Sequence, residues 1–169
     1  MCIRDSHMMK SGLGMYAIRA GRVKCGAIVA VNALGDVYDA DTGDQLAGVL
    51  NSDRSGLGNT QALMMNFVEQ DLNAFRANTT LGCIITNAKL TKAQCTKLAA
   101  FTHNGYARAI RPVHTTADGD TVFVMAAGEV DAGLDSLGVL AADVMTRAIA
   151  RAVVSAEPAY GLPAARSFK

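Results

Sequence analysis

The chain has 169 residues, 50% hydrophobic and 18% charged, with a formal net charge of +1. That length and apolar content build a packed core and exclude a disordered tail or linker. Charges of both signs are interspersed and nearly balanced, so no basic footprint points to nucleic acid. No apolar run reaches transmembrane length, so no membrane partner is expected either.

Trp is absent and aromatics are few, which leaves Ala, Val, Leu, Ile and Met to build the core. The cysteines are Cys2, Cys25, Cys83 and Cys95, none in a CxxC pair or in metal-ligand rhythm with a histidine. A zinc site is not expected, and a reducing, cytoplasmic location is the simpler expectation. Residues 1–8 (MCIRDSHM) show no periodicity and are set aside as a scar. Met9 is then read as an interior residue of a longer protein.

In chain order, Gly21 to Asn32 ends in an apolar run. Cys25, Ala27, Val29 and Val31 share one strand face, Ile28 and Ala30 the other. Both faces are apolar, which predicts a buried strand. Met15 to Ala20 pairs with it through a turn at Gly21–Arg22. Asp36 to Asp39 is a short strand or turn edge, and the polar stretch Asp41 to Gly58 reads as a loop. Helical spacing of Met64, Phe67, Val68, Leu72 and Phe75 predicts a helix over Thr60 to Phe75, with Met64 and Met65 as core material.

A β-rich strand starts immediately after the polar tripeptide Asn78-Thr79-Thr80 and runs to Thr86. Thr91, with Gln94 three residues on, is a capping-box start to a helix that runs towards Ile110. A polar loop through Asp118-Gly119-Asp120 leads to a strand, Thr121 to Ala126. A last helix starts near Asp135, with Leu137, Leu140, Ala141, Val144, Met145, Ala148 and Ile149 as its apolar stripe. This order of elements implies an α/β or α+β layered sandwich.

Asn78-Thr79-Thr80 is the most informative spot for chemistry. A hydroxyl at the start of a strand can attack the preceding carbonyl, and hydrolysis of the ester leaves Thr79 as a new N-terminus. An α-amine titrates near pH ~7.7–8.0, so it can act as general base to the hydroxyl beside it. The same tripeptide also matches an N-glycosylation pattern and a plain strand start. Asp118 and Asp120 can orient an amine or share a proton, or can simply form a turn. Asn32 can donate to an oxyanion or only turn the chain. Lys10 precedes Ser11-Gly12-Leu13-Gly14, the wrong order for a phosphate loop. His103 and His114 are read as surface or capping residues before acid–base groups.

Taken together these residues carry a resemblance. NTTLGCIITNAKLTKAQCTKLAAFTHNGYARAIRPVHTTADGDTVF, with KSGLG and AIVAVNALGDV upstream, resembles the L-aminopeptidase/D-esterase family of self-processing peptidases. That family includes β-aminopeptidases and nylon-oligomer (6-aminohexanoate) endohydrolases, and the likeness covers about residues 9–160.

The resemblance implies a layered αββα sandwich, incomplete here because an N-terminal part is missing. It implies an autoproteolytic amide hydrolase cut between Asn78 and Thr79 into residues 9–78 and 79–169. Thr79 is then the nucleophile, Asn32 the oxyanion partner and Lys10 a neighbour. Asp118 and Asp120 orient the amine and hydroxyl of Thr79. No cofactor or metal is implied. The implied partners are a small peptide, amide or oligoamide substrate and further copies of the cleaved pair in a homo-oligomer. An ornithine-acetyltransferase-like acyltransferase and a non-catalytic fragment are the competing readings. Strand faces that the missing part would cover are expected to be exposed and prone to association.

Overall fold

A computed structural model describes residues 7–68 and 78–168. Strands β1 (Leu13–Ala20) and β2 (Val23–Ala30) form an antiparallel hairpin in which Ala20 faces Val23. Its two-residue turn places Gly21 at φ +60°, a conformation that glycine adopts without steric cost. Two short strands follow, β3 (Asp36–Tyr38) and β4 (Gln45–Ala47), then helix α1 (Thr60–Met65). After the undescribed stretch come β5 (Leu81–Ala88), α2 (Lys92–Ala109), β6 (Ile110–Arg111), β7 (Thr121–Val130) and α3 (Leu134–Val154). A 3₁₀ turn over Ala165–Phe168 ends the described chain.

The main sheet has the order β1-β2-β5-β7. Strands β1, β2 and β5 pair antiparallel, while β7 joins β5 in parallel after a crossover that carries α2. A parallel neighbour needs such a crossover, so the capping-box helix is what lets β7 run beside β5. Both halves of the predicted box are present: Thr91 accepts from the Gln94 N–H, and Gln94 accepts from the Thr91 N–H. A smaller sheet, β4-β3-β6, sits apart. There the fully buried Asp36 accepts the Val49 N–H and both the N–H and hydroxyl of Thr60, tying β3 to the start of α1.

Helices α2 and α3 pack together and cover one face of the main sheet. Close approach is possible because glycines stand at the contacts. A β-carbon on Gly14 would lie 2.0 Å from the Ala148 carbonyl, and one on Gly105 2.5 Å from the Ala142 carbonyl. The core comprises Cys25, Ala27, Val29 and Ile84 from the strands with Leu98, Tyr106, Val144, Met145 and Ile149 from the helices. The stripe read from spacing on α3 is therefore the buried one, with Leu140 half-buried, whereas Val68 of the stripe expected after Thr60 is exposed; the layered mixed α/β class holds.

The opposite sheet face is open. Register places Leu13 and Met15, Ile28 and Ala30, Leu81 and Ile85, and Phe123 and Met125 on it. Phe123 is 59% and Met125 61% exposed. Strand β2 is thus buried on one face rather than two. Its apolar second face lies in an apolar surface that nothing among the described residues covers.

Other departures are local. The polar loop Asp41 to Gly58 contains β4, whose three residues are too few to show a period. Helix α1 is six residues long, against the expected sixteen. Its expected continuation through Leu72 and Phe75 lies outside the described residues. Met65 is 69% exposed and is not core.

Candidate active site at the Asn78–Thr79 bond

The parallel pairing of β5 and β7 continues backwards past both strands. The Thr121 N–H donates to the Thr80 carbonyl (3.0 Å), and Asn78 bridges Asp118 in parallel. Asn78-Thr79-Thr80 and Asp118-Gly119-Asp120 therefore run side by side, although forty positions separate them. Asn78 is 3% exposed. Its N–H reaches the Ala117 carbonyl at 3.3 Å.

The bond between Asn78 and Thr79 is held from three sides. The Gly119 N–H donates to the Asn78 carbonyl at 2.9 Å. The Thr79 hydroxyl donates to that same carbonyl at 2.5 Å. The Thr79 N–H donates to the Asn32 carbonyl at 2.9 Å. The Gly119 N–H withdraws electron density from that carbonyl carbon and is placed to hold an oxyanion there. The Thr79 hydroxyl lies against the same carbonyl group.

The carboxylates are divided between two tasks. Asp118 accepts from the N–H (3.1 Å) and hydroxyl (2.7 Å) of Thr115 and, at 3.4 Å, from the Leu34 N–H. It shapes its own loop and ties it to the segment after Asn32. Asp120 accepts the Thr80 N–H at 2.9 Å on one oxygen. Its other oxygen lies 3.0 Å from Nδ1 of His114. Both carboxylates flank Thr79 through its neighbours, and the partners of neither include the Thr79 hydroxyl.

Lys10 is one strand away. The Ser11 hydroxyl donates to the Val31 carbonyl and the Val31 N–H to the Gly12 carbonyl, which lays the Lys10 segment along the residues before Asn32. The Lys10 ammonium itself donates to the Ser11 carbonyl. Asn32 meets Thr79 through its main chain.

Helix α2 supplies one wall of the site. The Tyr106 hydroxyl lies 3.2 Å from the carbonyls of both Thr80 and Thr121. It fits because Gly82 has no side chain: a β-carbon there would lie 2.6 Å from that oxygen. Burial, and then the Asp120 charge, push the Tyr106 phenol far above its usual range, so it is a donor and not a base. His114 is exposed, as a surface reading expects, whereas His103 is half-buried. Their rings meet edge to face at 4.7 Å, and His103 meets Tyr106 likewise at 5.3 Å. Burial, with His114 adding to it and Asp120 opposing, lowers the His103 pKa. The Gly119 N–H escaped sequence reasoning because glycine was read only as turn chemistry. The aromatic trio escaped it because nothing in the spacing of Tyr106 and His114 shows that they meet.

Among the described residues, no group of three or more His, Cys, Asp or Glu side chains could hold a metal ion. No helix among them is long and apolar enough to cross a membrane. Cys25, Cys83 and Cys95 are free thiols.

Known proteins share this mixed α/β fold. The model of peptidase family S58 matches residues 5–166, and the chain belongs to that family. An uncharacterized aminopeptidase from Mycobacterium bovis is 35% identical over 95% of this chain and 52% of its own length. A 6-aminohexanoate-oligomer endohydrolase from Kocuria sp. is 28% identical over 84% of this chain and 44% of its own. The chain thus spans about half the length of these curated relatives. Among solved structures, an L-aminopeptidase D-Ala-esterase/amidase from Ochrobactrum anthropi superposes with a TM-score of 0.62 at 17% identity. That match covers 93% of this chain and 44% of the other. A β-aminopeptidase from Burkholderia sp. gives 0.56 at 22% identity, over 88% and 43%. At these identities the likeness shows the fold.

Proposed function

We propose that this chain is the nucleophile-bearing half of an amide hydrolase that cuts its own Asn78–Thr79 bond. The observation that carries the reading is the Asn78 carbonyl, held by the Gly119 N–H and touched by the Thr79 hydroxyl. In the first step the Thr79 oxygen bonds to the Asn78 carbonyl carbon, the peptide C–N bond breaks, and the hydroxyl proton passes to the nitrogen. Water then hydrolyses the ester, leaving a carboxylate on Asn78 and a free amine on Thr79. Cleavage of the 169-residue chain yields residues 1–78 and 79–169, and the two products stay paired.

In turnover the Thr79 amine takes the proton from the Thr79 hydroxyl, which attacks a substrate amide carbonyl. The Asn32 carbonyl, already an acceptor for the Thr79 nitrogen, holds the amine in place. The Asn32 side chain and Gly119 N–H steady the oxyanion, Lys10 adds positive potential one strand away, and Asp118 and Asp120 fix the loop and the residue after the nucleophile. The amine product leaves with the proton, and water releases the acyl group.

The names of the relatives support a small peptide, amide or oligoamide as substrate. The open apolar sheet face supports assembly with further chain, in a homo-oligomer of cleaved pairs. Three free thiols fit a reducing cytoplasm. The test is release of p-nitroaniline from amino-acid p-nitroanilides, and of monomer from 6-aminohexanoate oligomers. Thr79→Ser is expected to retain activity and Thr79→Ala to lose it. Equal activity of wild type and Thr79→Ala would overturn the reading.

A further inference from the structure

The ring of His114 occupies a position that neither the proposed chemistry nor the family likeness assigns. Its Nδ1 lies 3.0 Å from Asp120, whose side chain is only 4% exposed against 37% for His114. The other Asp120 oxygen accepts the Thr80 N–H. The Thr80 carbonyl in turn accepts from the Thr121 N–H and lies 3.2 Å from the Tyr106 hydroxyl. The residue that follows Thr79 is therefore gripped at both its N–H and its carbonyl. Only one of those grips, through Asp120, depends on a side chain whose own orientation needs a partner.

His114 is held for this contact. Its φ of +56° puts it in the left-handed region, which few residues with a β-carbon adopt and histidine adopts more readily than most. Its ring packs edge to face on His103 and stacks on Tyr106 with centroids 5.9 Å apart. Asp120 from the entry to β7, and His103 and Tyr106 from α2, are the titratable groups that meet it. A surface ion pair would contribute little. This carboxylate is buried, and an oxygen without its donor would be free to turn away from Thr80.

We propose that His114 is a positioning residue: it orients Asp120, which fixes the Thr80 peptide and through it the attacking hydroxyl of Thr79. The inference rests on the reading of Thr79 as nucleophile for its consequence, and on geometry alone for its first step.

The test uses the whole 169-residue chain in three forms: wild type, His114→Phe and His114→Asn. Phenylalanine keeps the ring and removes the donor. Asparagine restores a neutral N–H near the Nδ1 position. Amide hydrogen exchange at Thr80 is read against Val144 in the middle of α3. His114→Phe is expected to speed exchange at Thr80 by about 10-fold with Val144 unchanged, and His114→Asn to bring it back to within about 3-fold of wild type. The rate of self-cleavage, read by intact mass, is expected to fall in the same order.

Unchanged Thr80 exchange in His114→Phe would overturn the proposal. So would a rise at Thr80 and Val144 together, which a merely structural role predicts, or an equal rise in both variants. A Thr79→Ala chain that still splits after Asn78 would overturn the nucleophile reading instead, and would leave the exchange result to stand by itself.

Discussion

Gly119 and Thr79 are packed so closely that a β-carbon on Gly119 would stand 2.8 Å from the Thr79 hydroxyl oxygen. The same glycine donates its N–H to the Asn78 carbonyl. It therefore both polarises the bond and leaves room for the group that attacks it. Gly119→Ala is expected to push the hydroxyl off the carbonyl and slow self-cleavage by about 100-fold, comparable with losing an oxyanion donor. Its backbone needs no left-handed conformation, so stability should change by no more than about 1 kcal/mol. Cleavage followed by mass, with urea unfolding alongside, checks both halves.

A second glycine tests the scaffold rather than the site. A β-carbon on Gly14 would meet the Ala148 carbonyl at 2.0 Å and the Ala152 nitrogen at 2.6 Å, both main-chain atoms that cannot swing aside. Gly14→Ala should prise β1 from α3 and cost about 2–4 kcal/mol. A urea midpoint equal to that of wild type would contradict the packing of α3 on β1.

The lowered pKa of His103 gives a pH dependence with a definite sign. Burial favours the neutral ring in the folded chain, while the unfolded ring titrates near ~6.5. Between those values the unfolded state binds more protons, so stability rises with pH. The contribution of His103 is fully present above about pH 6.5 and is lost as pH falls through the lower folded value. His103→Phe keeps the ring packing on Tyr106 and should flatten the decline of the thermal midpoint on the acid side. An unchanged acid slope would count against it.

The open sheet face should control association. Phe123 and Met125 protrude from it, and nothing among the described residues packs on them. Large exposed apolar surfaces drive assembly. Phe123→Lys is expected to shift the chain towards monomer in light scattering, with little change in unfolding. Identical mass distributions would mean that association, if seen, uses another face.

How far the sequence anticipates this molecule depends on the length of the signal. Helix α3 and the helix that begins at Thr91 are legible because apolar spacing persists over many turns and a capping box marks one start. Strand β4 is not, because three residues carry no period. The pairing of Asn78-Thr79-Thr80 with Asp118-Gly119-Asp120 is invisible to local patterning. It arises from parallel register between strands joined by a long crossover, and only family likeness brings those segments together in advance. Even so, likeness names side chains, whereas the contacts at the Asn78–Thr79 bond come largely from main chain: the Asn32 carbonyl on the Thr79 nitrogen and the Gly119 N–H on the Asn78 carbonyl. His114 is illegible for a related reason, since a single histidine in a loop gives no hint of which carboxylate it meets. The apolar second face of β2 reads locally as a buried face, because periodicity carries no sign of which layer covers it; only the family likeness announces exposed strand faces.

The central claim is that Thr79 breaks the bond before it. The most direct measurement is the intact mass, under denaturing conditions, of the purified wild-type chain and of Thr79→Ala after incubation over days. The account predicts two wild-type fragments that divide between Asn78 and Thr79, and a single uncut Thr79→Ala chain. An uncut wild-type chain, or Thr79→Ala fragments divided at the same bond, would contradict it.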